Sequence, residues 1–329
     1  MSFIPLKVGI VGTGYAATKR AEALQQDARV ELVAVSGHTQ ERLESFCRNY
    51  SVFRVNSWED LVKDGNLDLI VIANANCDHG KIARAALSAG KHAIVEYPLS
   101  FYPAEARELM ELAQRVGKLL HVEHIELLGG LHQAIRNHLP EIGKVFFARY
   151  ATVVPQHPVK LGWTYNYQMF GFPLIAALSR VHRFTDLFGK VSSVACNSRF
   201  WDGAEPGYYR ACLCNAQLRF ASGVMGEVTY GKGETFWKGD RTFEILGEDG
   251  TLIFDGEEGT LIKGGGKKAI EVASRKGLFA KDTTMVLDHL ELDSPLYVNP
   301  SASYYALLVA DAAREAAETG KTIYLDSQC

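Results

Sequence analysis

The stretch "VGIVGTGYAA", residues 8–17, restricts what this chain can fold into more than any other. It closes an apolar run suited to a strand, spaces Gly12-x-Gly14-x-x-Ala17 across a turn, and opens a helical pattern. Gly12 permits the tight turn, Gly14 lets a pyrophosphate approach the backbone, and a small residue at Ala17 packs helix against strand. The first free N–H groups of the helix then form an anion site. A plain strand-to-helix turn would read the same way in isolation, so the setting decides. Through residue 120 the runs "KVGIVG", "VELVAVS", "LDLIVIA", "HAIVEY" and "LLHVE" alternate with amphipathic stretches such as "AEARELMELAQRVG". Strict alternation of strand and helix requires right-handed crossovers and a parallel sheet. The expectation is an α/β chain whose residues 1–124 form an N-terminal Rossmann domain, a doubly wound parallel sheet that binds a dinucleotide.

After "HIELLGGLHQAIRNHLPEIG" the pattern changes. From Lys144 onward longer runs of period-two character appear: "KVFFARYATVV", "YRACLCNAQLRF", "GVMGEVTYGKG" and "RTFEILGEDGTLIF", joined by Gly-, Asn- and Asp-containing turns that suit hairpins. Residues 125–329 are therefore expected to form a C-terminal α+β domain, substrate-binding, on a large, mainly antiparallel sheet. Two helices interrupt it, at about 171–188 and 281–291, and a last one, "SASYYALLVADAAREAAETG", is expected to start at a serine cap and stop at Gly320. The glycines of "KGGGKKA" read as a loop or hairpin tip.

A length of 329 residues suits two domains, since domains run roughly 100 to 200 residues. A net charge of −3 with 22% charged residues supplies no broad positive field for nucleic acid or an anionic membrane. The N-terminal "MSFIPLKVGIVGTG" has neither a basic region with a cleavage site nor an apolar run of spanning length, which favours a cytoplasmic protein. Cys47, Cys77, Cys196, Cys212, Cys214 and Cys329 form no CxxC pair, so neither a disulfide framework nor a zinc site is suggested.

The end of the second strand sets the cofactor. NAD-selective folds place a carboxylate there for the ribose hydroxyl, whereas "ELVAVS" runs into "GHTQER" with no acid before Glu41. Ser36, Gly37, His38 and Thr39 leave room for a 2′-phosphate and offer it donors, and Arg42 follows one turn later. NADPH is favoured over NADH. Further candidate cofactor contacts are Thr13, Tyr15 and Ala16 around the glycine turn, and Ala73, Asn74, Asn76 and His79 after the next strand. Glu96 and Tyr97 follow in "VEYPLS".

On "VGIVGTG", "IVIANANCDHGKIARAALSAGKHAIVEYP" and "IGKVFFARY", the chain resembles the glucose-fructose oxidoreductase and inositol dehydrogenase superfamily over nearly its whole length. In that superfamily the strand-end motif reads Glu-Lys-Pro, and a helix of the second domain carries Asp and, four residues on, His. Those groups manage the proton of a sugar alcohol. Here Tyr97 replaces the lysine. Aligning "GFPLIAALSRVHRFTDLFG" by Asp186 puts Ser179 at the Asp position and Arg183 at the His position, with His182 one residue out of register. A neutral tyrosine and arginines are poor bases at neutral pH, so an anionic, conjugated acceptor suits the site better than an alcohol. Glu-Tyr-Pro, "HVEHIELL" and "FGFP" followed by "LSR" resemble the biliverdin reductases. "LLHVEHIELLGG", "RFTDLFG", "YGKGE" and "SRKGLF" are similar to their cyanobacterial branch.

That resemblance implies NADPH-dependent reduction of the C10 methine bridge of biliverdin IXα to bilirubin, a linear tetrapyrrole substrate and no metal. It also implies Tyr97, Arg180 and Arg183 as catalytic groups. Tyr97 would offer a flat face to the bilin. Arg180 would stabilise developing charge and hold a propionate or a proton-bearing water. Arg180 and Arg183, three apart on a helix, share a face; the alternative is pairing with Asp186 or a domain-interface carboxylate, and the functional reading is favoured for both. Glu126 is either a substrate contact or a structural carboxylate. Lys232 and Glu234, with Arg275 and Lys276, are either rim groups for propionates or simply solvated. "HVEHIE" lacks the helical His-Glu-x-x-His spacing of zinc proteases. A monomer is compatible with this reading, as are two competitors: a polyol dehydrogenase of the same superfamily, and an NADP-binding regulator without turnover.

Overall fold

A computed structural model describes residues 5–325; Cys329 and the first four residues of the N-terminal stretch lie outside the described residues. Two compact units result.

The first unit begins with six strands, β1 (Leu6–Val11), β2 (Val30–Ser36), β3 (Phe53–Val55), β4 (Leu69–Ile72), β5 (His92–Val95) and β6 (Leu120–Val122). Between them run α1 (Tyr15–Leu24), α2 (Gln40–Tyr50), α3 (Trp58–Lys63), α4 (His79–Ser88) and α5 (Pro103–Val116). All strand pairs are parallel, in the order β3-β2-β1-β4-β5-β6. β4, "LIVI", is buried at every position, as expected of a strand covered on both faces by helices. The order reverses between β1 and β4, which is where such sheets open a crevice at their carboxyl ends. β3 escaped the sequence reading because its three edge residues show no buried alternation.

The second unit contains α6 (Gly130–His138), β7 (Val145–Pro155), α7 (Tyr167–Phe170), α8 (Pro173–Ala176), α9 (Ser179–Phe188), β8 (Val191–Asp202), β9 (Tyr209–Phe220) and β10 (Met225–Gly233). β11 (Thr242–Gly247), β12 (Gly250–Asp255), β13 (Glu258–Lys263) and β14 (Gly266–Ile270) continue it as a meander. Gly264 and Gly265, both at positive φ, make the β13–β14 hairpin tip read from "KGGGKKA". The helix expected over 171–188 is two helices. Ala177 leaves helical dihedrals (φ −103°, ψ 38°), and Arg180 N–H bonds Ala177 C=O at 3.0 Å in a tighter step.

The chain then forms α10 (Leu278–Leu292), α11 (Pro300–Thr319) and β15 (Ile323–Tyr324). The nine-stranded sheet runs β14-β13-β12-β11-β7-β10-β9-β8-β15, antiparallel except for the β7–β10 pair. α11 ends at Gly320 (φ +69°) as read, but its cap is Asn299, whose Oδ1 accepts from Ser301 N–H and Oγ–H at 3.0 Å, and not a serine.

A division at 124/125 into two contiguous domains differs from the units observed. The first unit runs through Ile125 and takes back Gly277–Tyr304. The reason is packing: Val286 and Leu287 of α10 share one core with Val8, Ile10, Ala17, Ala21 and Leu24. Among the described residues no helix is long and apolar enough to cross a membrane.

Candidate functional site

The glycine turn is built for an anion. Gly12 has φ +122°, and a Cβ there would stand 2.3 Å from Ala73 O, so only glycine fits between β1 and β4. Gly14 caps α1 with an extended backbone, and a Cβ on it would meet nothing within 4 Å, leaving its amide approachable. Tyr15 is exposed and edge-on to Phe279 at 6.1 Å, and Ala16 beside it is half-buried. At the end of β2 the buried Ser36 hydroxyl and, after β4, the Asn74 Oδ1 have no protein partner. His38, Thr39 and Arg42 are exposed, and no carboxylate stands among residues 36–40. An approachable amide, an orphaned hydroxyl and the exposed His38, Thr39 and Arg42 fit a dinucleotide carrying a 2′-phosphate. Gly37 lies against Thr13, whose Cγ2 would be 2.7 Å from an added Cβ.

His79, expected to touch the cofactor, is instead 1% exposed. Its Nδ1 lies 2.8 Å from Pro98 O and its Nε2 3.3 Å from Asn74 O. Burial lowers its pKa below the ordinary value, so the neutral ring braces the turn after β4 against the turn that carries Tyr97. Asn76, 5% exposed, opens the short turn before α4.

Beneath Tyr97 lies a charged network that the sequence reading missed. Arg20 of α1 is wholly buried; its Nε donates to Glu96 Oε1 at 3.0 Å, and its Nη1 to Asp282 Oδ2 and to Thr283 Oγ1 at 3.1 Å. Asp282 Oδ1 faces His121 Nε2 at 2.8 Å and accepts the Tyr297 hydroxyl at 2.6 Å. Arg20 and His121 hold the Asp282 carboxyl well below the usual range against the cost of burial. Glu123 moves the other way: burial, then Glu96, push it well above the carboxylate range. The Tyr97 ring stacks on His124 at 5.6 Å and 5°. The available signal was an arginine within the buried face of α1, among Ala17, Ala21 and Leu24.

In the sheet unit, α9 lays both arginines over β7 and β10, but in different company. Arg180 is half-buried; Nε donates to Thr152 Oγ1 at 3.3 Å, Nη1 to Ser179 Oγ at 3.0 Å, and the guanidinium lies 5.5 Å from the Tyr230 ring. Arg183 is 2% exposed, donates to Glu126 Oε2 at 2.6 Å and lies 6.0 Å from the Tyr150 ring. Arg275 holds the other oxygen of Glu126. Glu126 is thus a carboxylate between two guanidinium groups, and Arg183 is half of an ion pair. His182, with a pKa lowered to about 4 by burial, is neutral.

Lys232, read as a rim or solvated group, is neither. It is 8% exposed, its Nζ donates to Thr164 O, and the rings of Phe170, Tyr165 and Tyr209 lie 3.5, 4.5 and 5.5 Å away. Desolvation in this cage lowers its pKa to about 8. Glu234 Oε1 accepts Val159 N–H at 3.0 Å, and Lys276 is exposed.

With this geometry in place, comparison with known proteins gives a consistent answer. Residues 6–124 match an oxidoreductase family model for a NAD-binding Rossmann fold, and residues 133–325 match that family's C-terminal alpha/beta domain. A crystal structure of biliverdin reductase in complex with biliverdin and NADP+ from Synechocystis sp. PCC 6803 is 52% identical, covering 96% of this chain and 100% of that one, at a TM-score of 0.95. Mouse biliverdin reductase A is 30% identical over 57% of this chain, and the human enzyme 30% over 48%. Those two matches span 60% and 50% of the mammalian proteins' own lengths. The chain belongs to the GFO/IDH/MocA oxidoreductase family, on its biliverdin reductase branch.

Proposed function

We propose that this protein is an NADPH-dependent biliverdin reductase, converting biliverdin IXα to bilirubin by reduction at C10, and that it works in the cytoplasm. The observation that carries the reading is 52% identity over 96% of the chain with an enzyme solved with biliverdin and NADP+. NADPH, when bound, supplies the hydride. Gly12 and Gly14 admit its pyrophosphate to the start of α1, and Ser36, His38, Thr39 and Arg42 receive the 2′-phosphate.

The chain's own residues then set the chemistry. Reduction of a conjugated carbon requires no base to take an alcohol proton. The loss of the superfamily's Lys, Asp and His to Tyr97, Ser179 and Arg183 is consistent with that. Tyr97, braced from behind by His124, offers an aromatic face to the bilin. Arg180, held by Thr152 and Ser179, offers a charge fixed in place before reaction, which is the condition for stabilising charge that develops later. A guanidinium does not release its proton readily, so Arg180 holds a propionate or orients a proton-bearing water. Arg183, buried and paired with Glu126, supports α9.

The test is direct. Purified protein mixed with biliverdin and NADPH should show the biliverdin spectrum giving way to that of bilirubin, with one NADPH consumed per bilin. Persistence of the biliverdin spectrum beside intact, bound NADPH would overturn the reading.

A further inference from the structure

The buried network of the first unit has one centre, and it comes from far along the chain. Asp282 stands on α10, about 160 residues beyond β6, yet two arms leave its carboxylate and end on residues that adjoin Tyr97. One arm runs from Oδ2 through Arg20 Nη1 and Nε to Glu96 Oε1, the residue before Tyr97. The other runs from Oδ1 to the Tyr297 hydroxyl at 2.6 Å; that oxygen accepts His124 N–H at 2.9 Å, and the His124 ring stacks on Tyr97. Ser303 Oγ meets His124 Nε2 at 2.8 Å and fixes the ring's azimuth.

We propose that Asp282 is a positioning residue for the reaction: it holds Tyr97 as a rigid face by fixing Glu96 through Arg20 and His124 through Tyr297. Three features support a positioning role over bulk stability. Asp282, Arg20 and His121 are 0–1% exposed, so the geometry is not loosened by water. The arms end on Glu96, just after β5, and on His124, just after β6, the residue before Tyr97 and the residue whose ring stacks on it. A hydrophobic contact would hold the helices together as well but has no direction, whereas the Tyr297 oxygen fixes the backbone of His124 through a directed hydrogen bond. A well-packed apolar replacement of buried ion pairs often preserves stability; what it forfeits here is the orientation of Tyr97.

The inference rests on the biliverdin reductase reading for its kinetic arm only. Tyr297→Phe removes a single oxygen and leaves the Arg20–Asp282 pair in place. It should lower kcat for biliverdin by about tenfold, the scale of a slightly misplaced reacting group, with NADPH affinity, read by its fluorescence, unchanged. In a Tyr97→Ala background the same substitution should cost nothing further, because the face it orients is gone. Asp282→Asn should act on both arms. In NADP+-loaded protein, amide exchange in residues 95–102 and 121–126 should quicken by about tenfold or more while β4 is unaffected.

Penalties that multiply in the double variant, or exchange in residues 95–102 and 121–126 no faster than in the unaltered protein, would overturn the proposal. Should Asp282→Asn fail to fold, the Tyr297→Phe cycle decides. Should the unaltered protein leave biliverdin unreduced, the functional reading falls, and exchange in Tyr297→Phe at residues 121–126 and 95–102 still decides this one.

Discussion

Arg180 and Arg183 stand one helical turn apart on α9, and their surroundings assign them different work. Arg180 is half-buried and held by two hydroxyls and an aromatic ring, contacts that fix the direction of its guanidinium. Arg180→Ala should therefore cost on the order of 10²–10³ in kcat, like the loss of one preorganised donor, with Tm little changed. Arg180→Lys should recover only part of that, since a point charge lacks the planar fork. Arg183→Ala leaves Glu126 with the exposed Arg275 alone. Breaking a buried pair from one side costs about 3 kcal/mol when the remaining charge is left alone, and less where Arg275 still faces Glu126, so its signature is a lowered Tm with kcat of the folded fraction nearly intact. Turnover and melting measured on the same two preparations separate the roles, and an interchange of these signatures would refute the assignment. That two arginines share an otherwise apolar helix face was legible from spacing. That Arg183 pairs with Glu126 was not, because the partner lies 57 residues away in the chain.

At the scale of elements, the turn from β2 into α2 carries cofactor choice. An acidic residue there should repel a 2′-phosphate and accept from a ribose hydroxyl. Gly37 is a poor place for it, since its Cβ would press on Thr13 Cγ2 at 2.7 Å. The exposed His38 is free of that clash. His38→Asp should lower kcat/KM for NADPH and raise it for NADH, shifting the ratio by about tenfold or more, as roughly 1.4 kcal/mol of discrimination requires. Equal use of both cofactors by the unaltered protein would contradict the reading of this turn. The strand-and-helix alternation was legible because each parallel strand is a continuous apolar run. β3 and the break at Ala177 were not: a three-residue edge strand and a single dihedral excursion leave no periodic trace.

For the molecule as a whole, the caged Lys232 predicts how stability responds to alkali. Its pKa is lowered from the ordinary 10.5 to about 8 by burial, which overrides the pull of the three rings toward a charged ammonium. Between those values the unfolded chain holds a proton that the folded chain has released, so stability rises with pH across that window. The contribution is complete above about 10.5 and lost as pH falls through about 8. The Tm of the unaltered protein should gain on that of Lys232→Met as pH is raised from 8 toward 10. A difference that stays flat would show that the lysine is charged throughout.

The sequence by itself determined the doubly wound sheet, the glycine turn, the missing carboxylate after β2 and the exchange of Lys, Asp and His for Tyr97, Ser179 and Arg183. The first three are short-range properties, periods of two or 3.6 residues and turns that only certain residues can make, whereas the exchange was legible only against the motif of the superfamily the chain resembles. Tertiary structure alone decided that α10 belongs with the nucleotide-binding unit, that Asp282 meets Arg20, that Glu126 pairs with Arg183, and that Lys232 sits inside an aromatic cage. Each depends on which charged group burial brings opposite which other. The cost of desolvating a charge is fixed by its neighbours in space, and a helix pattern that places a residue on the buried face does not say what waits across from it.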